Sequence, residues 1–153
     1  MKKTLSDITA KEFISGRLNK LSSESRKEWG KMNVNQMLRH LNDSLKSAMG
    51  KIPVKQTGNF IHHTVMKSLV LWGMPAPKGK VQTFEEIDIA AKGINPENLD
   101  EEREGLMITI DEFLSFGEKQ EYYPHPAFGK MSVSQWRRLV YLHIDHHLKQ
   151  FGV

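Results

Sequence analysis

The sequence predicts an all-α protein, and three observations carry that reading. Apolar residues recur at three- and four-residue spacing over several long stretches. Two of those stretches open with the same helix-capping pattern. Glycine and proline breaks separate the periodic stretches from one another.

Residues 7–21 are expected to form the first helix, with Asp7 or Thr9 as N-cap and Ile8, Phe13, Ile14, Leu18 and Leu21 as its apolar positions. A serine-rich break, Ser22-Ser23-Glu24-Ser25, follows. The second helix is expected from about Asn33 to Met49, ended by Gly50 and Pro53, with Val34, Met37, Leu38, Leu41, Leu45 and Ala48 at helical spacing. Residues 59–72 suit a short helix that is apolar on most sides, and Met74-Pro75-Ala76-Pro77-Lys78-Gly79 breaks it. The 80–97 stretch reads as irregular, with some extended character at Val81-Gln82-Thr83-Phe84. A helix is expected over 98–117 with Leu106, Ile110, Phe113 and Leu114 inward. Tyr122-Tyr123-Pro124-His125-Pro126 cannot continue it, because each proline removes a donor and constrains its predecessor. The last helix is expected from Ser132 to about Phe151.

One internal echo links two of these elements. Gly30-Lys31-Met32-Asn33-Val34-Asn35-Gln36 parallels Gly129-Lys130-Met131-Ser132-Val133-Ser134-Gln135. In each, a cap residue (Asn33, Ser132) is followed three positions later by glutamine, the capping-box arrangement. These are also the two helices that carry the candidate metal ligands.

Composition bounds the function. At 153 residues, 39% hydrophobic and 26% charged, the chain has the size and make-up of one globular domain, residues 1–153. No apolar run approaches the roughly 18 residues of a membrane span. The basic start, Met1-Lys2-Lys3, has no apolar segment behind it and does not read as a signal peptide. Cytoplasm is the expected compartment. With no cysteine, disulfides, thiolate metal sites and thiol nucleophiles are excluded. The net charge of +4 raises the question of nucleic acid, but no run of four or more Lys/Arg and no nucleic-acid motif occurs. Neither a nucleic-acid nor a membrane partner is expected.

The sharpest motif is His143-Ile144-Asp145-His146-His147. His143 and His147 stand four apart, one helical turn, which lets both reach one metal ion. Spacing alone is weak, since 7 histidines in 153 residues yield about 0.3 such pairs by chance. The face strengthens it: Trp136, Val140, His143 and His147 form a single stripe, and an imidazole buried without a partner is costly. The alternative is an ordinary hydrogen-bonded core pair. His146 points away from that stripe. His40 lies at the edge of its helix's apolar face, which fits a ligand lining a cleft and equally a half-exposed histidine. His62 and His63 lie on the apolar 59–72 helix. His125 reads as a structural turn histidine. His143 lies about 16 Å along its helix from the cap, so His125 reaches it only if the turn folds back. Asp43, Asp145 and Gln150 are candidate supporting groups, with Asp145 facing away from His143. Three imidazoles suit Zn²⁺, Ni²⁺ or a related ion with a position left open.

The mid-helix His40 in Gln36-Met37-Leu38-Arg39-His40-Leu41, followed by the last-helix pair His143 and His147, resembles the DinB/YfiT-like superfamily of helical metalloproteins. The run His125-Pro126-Ala127-Phe128-Gly129-Lys130-Met131 is similar to one branch of it, whose function is uncharacterised. The resemblance covers most of the chain and is least familiar over 52–97. It implies an up-down-down-up four-helix bundle, with an extra short helix and irregular insert between the second and third bundle helices. It also implies a divalent metal held by His40, His143 and His147. Members include metal-dependent transferases and isomerases that use small thiol cofactors, and others labelled as hydrolases. Function belongs to the site and not to the fold, so no substrate follows. The expectation is metal-assisted activation of water or a thiol on a small-molecule substrate, with a homodimer as a candidate assembly. A non-catalytic metal-binding helical module is the alternative.

Overall fold

The computed structural model describes residues 2–153; Met1, part of the basic start considered above, lies outside the described residues. Five α-helices are present: α1 (Ile8–Leu18), α2 (Val34–Ala48), α3 (Lys67–Trp72), α4 (Leu99–Lys119) and α5 (Val133–Gln150). A π-helical turn, His62–Met66, runs into α3, and a 3₁₀ turn, Glu85–Ile87, precedes α4. No strand is formed among the described residues, and the expected extended stretch at 81–84 leads instead into the 3₁₀ turn.

Local chemistry sets the two helices that matter most. Asn33 accepts from the backbone of Gln36 while the Gln36 side chain accepts from the backbone of Asn33. Ser132 and Gln135 do the same at the start of α5. Each box satisfies two of the donors a helix start leaves open. Gln36 has a second use: its Nε2 donates to Ile94 O and Asn95 Oδ1, both at 2.9 Å. Asn35 Nδ2 donates to Pro96 O at 2.8 Å. The first turn of α2 therefore pins the irregular 87–96 segment against the helix.

The core is apolar and continuous. Met37, Leu38, Leu41 and Leu45 of α2 pack with Leu106, Ile110 and Phe113 of α4 and with Ile144 and Leu148 of α5, all essentially inaccessible to water. Burying each such side chain contributes roughly 1.5–3 kcal/mol. Polar ties fix the helices around it. Arg39 forks onto the buried Glu102, joining α2 to α4. Arg17 bonds Asp145 at 2.6 Å and Val153 O at 2.5 Å, joining α1 to α5 and the chain end. Arg103 donates to Leu18 O and Leu21 O, closing carbonyls at the end of α1.

Helix α1 departs from expectation. Ile14, Leu18 and Leu21 are buried, but Ile8 and Phe13 are exposed, at 75% and 49%. Only one narrow strip of this helix meets the core, so its remaining apolar residues face water. Lys3 and Arg17 lie over the Phe13 ring, 4.8 and 5.2 Å from its centroid. Asp7 stands at the N-cap, but its side chain accepts from Thr4 N instead of capping the helix.

The segment before α3 is fastened to the turn before α5. Thr57 N and Gly58 N both donate to Pro126 O, at 2.9 and 3.0 Å. A Cβ on Gly58 would fall 1.9 Å from Ala127 O, so no larger residue fits this crossing.

Candidate metal centre

His40 lies in the middle of α2, and His143 and His147 lie one turn apart near the end of α5. The structure brings the three together, with one ligand nitrogen from each within 4.8 Å of the others. His40 Nε2 is 3.2 Å from His143 Nε2, and His147 Nε2 is 3.1 Å from the same atom. His40 and His147 are buried, at 3% and 7% exposure, while His143 keeps a partly accessible edge.

Hydrogen bonds on the far side of the rings fix which nitrogen carries the proton. His40 Nδ1 is 3.0 Å from Ile87 O. A carbonyl only accepts, so Nδ1–H donates and Nε2 keeps its lone pair. His147 Nδ1 is 2.9 Å from Gln150 Oε1, and Gln150 Nε2 donates to Trp29 O at 2.6 Å. That second bond orients the amide, so Gln150 presents its oxygen and His147 also donates from Nδ1. Two bare nitrogens thus face His143 Nε2, which carries at most one proton and can satisfy one of them. The cluster leaves a lone pair pointing at a lone pair, and a cation removes that conflict.

The two spacings that involve His143 suit an ion. Metal–nitrogen bonds of about 2.0–2.1 Å place two ligands about 3.3 Å apart at a tetrahedral angle and about 2.9 Å apart at a right angle. The observed 3.1 and 3.2 Å lie between. Three neutral imidazoles form a borderline donor set suited to first-row divalent metals. Burial pushes all three pKa values down: His40 below its usual 6.5, His143 well below it, and His147 to about 3. For His143 and His147, repulsion from neighbouring histidines adds to desolvation. The rings are therefore in the neutral form that a metal requires.

The burial of His40 decides between the two readings its position on the helix allows, a ligand lining a cleft and a half-exposed histidine, against the second. The irregular 84–96 segment covers His40, with Ile87 and Ile89 themselves buried and Ile87 O bonded to the His40 ring. Of the supporting groups, Gln150 holds His147 directly. Asp145 turns away to Arg17 and Lys149. Asp43 makes no bond to the cluster among the described residues; Lys46, Arg39 and Lys92 are the cations that act on it. The Ile87 carbonyl had no signal in the sequence, because a main-chain acceptor is supplied by any residue.

His146 is half-buried with its ring edge-on to Trp29, 6.0 Å between centroids. His125 is a turn residue, as expected. Its backbone pairs with Gly129 in both directions, and its Nδ1 accepts from Ala127 N and Phe128 N, both at 3.1 Å. The ring stacks on Phe128 and lies against Trp136. Burial lowers its pKa to about 4. His63 packs on the backbone of Gly58 and Gly129, away from the cluster.

Gln150 sets the tautomer of His147, so its replacement has a measurable effect. Gln150→Leu should weaken metal binding about 10- to 100-fold, since the partner that orients His147 is lost. Gln150→Glu, which keeps an acceptor facing Nδ1, should retain most of the affinity. Competition titration against a chromophoric chelator measures both. Equal affinity for wild type and Gln150→Leu would refute the assignment.

A family model described as "Protein of unknown function (DUF1569)" matches residues 3–152, and the chain belongs to that family. No curated protein and no solved structure matches it.

Proposed function

We propose that this member of the DUF1569 family is a metal-dependent enzyme acting on a small molecule, with His40, His143 and His147 as ligands to one divalent ion. Zinc and nickel fit the donor set best. The observation that carries the reading is the convergence of three Nε2 atoms, two of them with lone pairs fixed inward by Ile87 O and Gln150. Three protein ligands are the usual complement of a catalytic site that keeps a position open. When bound, such an ion supplies Lewis acidity that activates water or a low-molecular-weight thiol for hydrolysis or group transfer.

The chain's own residues orient and insulate. Ile87 O and Gln150 Oε1 hold the His40 and His147 rings and raise the basicity of their ligand nitrogens. Buried Leu41, Ile144 and Leu148, neighbours in sequence of the three ligands, keep bulk water from the inner side. His143 is the least buried of the three residues, so a small molecule approaches from its side of the cluster. In this reading α1, α2, α4 and α5 are the four helices of a DinB/YfiT-like bundle, with α3 and the 3₁₀ turn in the insert between the second and third.

Open coordination separates catalysis from a purely structural metal. The Co²⁺-substituted protein should change its visible d–d spectrum when azide or a small thiol is added, because the exogenous ligand takes the free position. A spectrum indifferent to both, with the metal retained, would mean a closed shell and a non-catalytic module.

A further inference from the structure

The 60–81 region has a composition unlike the rest of the chain. From Ser44 to Phe84 there are six lysines, no arginine and no acidic residue. That segment carries +6, so the remainder carries −2 against the overall +4. It also holds seven of the twelve exposed large hydrophobics among the described residues: Phe60, Ile61, Val65 and Trp72 are exposed at 80%, 59%, 55% and 72%, Val81 at 65%, and Leu69 and Met74 at 38% each. Ile61, Val65, Leu69 and Trp72 follow at intervals of four, four and three, on the side of the π-turn and α3 turned away from the core. Contiguous apolar surface of this kind on a monomer marks an interaction site.

Charge and side-chain type decide the partner. Lys55, Lys67, Lys78 and Lys80 make no ion pair among the described residues, so their charge is not neutralised within the chain, although Lys67 Nζ donates to Lys130 O and Lys78 Nζ lies 4.3 Å over the Trp29 ring. Pairing with a second copy through this face would set Lys67, Lys78 and Lys80 of each copy against the same three lysines of the other, with no acidic residue in 60–81 to offset them. Nucleic acid is poorly matched, since the aliphatic Ile61, Val65 and Leu69 cannot stack on bases, and Arg138, the arginine that reaches this face, is already held by Leu71 O and Lys3 O. An aromatic and aliphatic stripe bordered by lysines is the chemistry of a surface that lies in the headgroup boundary of an anionic bilayer. We propose that the 60–81 segment docks on an anionic lipid surface, with Ile61, Val65, Leu69 and Trp72 entering the acyl boundary and Lys67, Lys78 and Lys80 meeting lipid phosphates. This is attachment and not spanning: no helix is long and apolar enough to cross a membrane. It replaces the expectation of no membrane partner, which rested on the lack of a spanning run, and it is independent of the metal.

Co-sedimentation of the full chain with vesicles tests it. Vesicles of phosphatidylcholine with about 30% phosphatidylglycerol should bind the protein at least about tenfold better than phosphatidylcholine alone. Trp72→Ser with Ile61→Ser should reduce binding to the anionic vesicles about tenfold or more, because the inserted surface is lost. Lys78→Gln with Lys80→Gln should reduce it by about fivefold per lysine. All four positions are exposed, and circular dichroism checks that the fold is kept. Absence of vesicle binding, or binding that none of these variants weakens, would overturn the proposal. A dimer in sedimentation velocity that Trp72→Ser breaks would assign the face to a second copy instead. Salt-sensitive DNA binding lost in the same variant, without vesicle binding, would assign it to nucleic acid.

Discussion

His143→Ala is expected to purify without metal, where the wild-type chain carries about one first-row ion per molecule. His143 Nε2 sits between the other two nitrogens, at 3.2 and 3.1 Å, so its removal leaves two ligands and no shared centre. The affinity loss should exceed the roughly 10- to 100-fold typical of losing an outer partner. Circular dichroism checks that the helices of this variant stay folded. His147→Ala should lose the metal too, with a further stability cost, because His147 is buried and its loss orphans Gln150 Oε1. His146→Ala and His63→Ala should keep the ion. These controls separate a specific site from histidine content in general. Elemental analysis of the purified variants settles the matter. The same occupancy in wild type, His143→Ala and His147→Ala would end the case for the site.

The metal-free chain should lose stability steeply as pH falls below about 6.5. An unfolded histidine takes up a proton near that value. In the folded chain burial holds His125 to about 4 and His147 to about 3, with His40 and His143 also lowered. Below 6.5 the unfolded state therefore binds more protons, and the free energy of unfolding falls with falling pH until the folded values are reached. Stability from these groups is fully present above about 6.5 and is lost through the window down to about 4 for His125 and about 3 for His147. At about 1.4 kcal/mol per pH unit, His125 alone accounts for about 3 kcal/mol. That is a large part of the 5–15 kcal/mol typical of a domain. Thermal melts in chelator between pH 7.5 and 4.5 should show the fall, and excess metal should raise the midpoint at neutral pH. His125→Asn can still accept from Ala127 N and Phe128 N but does not titrate, so it should flatten part of the slope. A midpoint unchanged from pH 7 to 5 in chelator would contradict the buried, neutral assignment of these rings.

What could be read in advance follows from how local each cause is. Asn33 with Gln36 and Ser132 with Gln135 form the expected capping boxes because every atom involved lies within four residues. The His143 and His147 pairing was legible for the same reason: a helix puts positions four apart on one face, and Trp136 and Val140 marked that face as inward. The α1 residues Ile8 and Phe13 were misjudged because hydrophobicity marks what can be buried, and α1 has neighbours on one side only. Residues 59–72 were read as apolar on most sides, and they are; the structure adds that much of that surface faces solvent.

The sequence by itself determined the helical class, the two capped helices and the histidine pair on α5, since these depend on spacing along one chain segment. Only the tertiary structure decided that His40 joins them. Its burial comes from the 84–96 segment, pinned by Asn35 and Gln36 across about sixty residues of chain. Its proton is placed by the Ile87 carbonyl, an atom with no signature in the amino-acid code. The ligand set was therefore only partly written in residue spacing; it closed when a main-chain oxygen and the Gln150 amide turned two ring nitrogens toward a third.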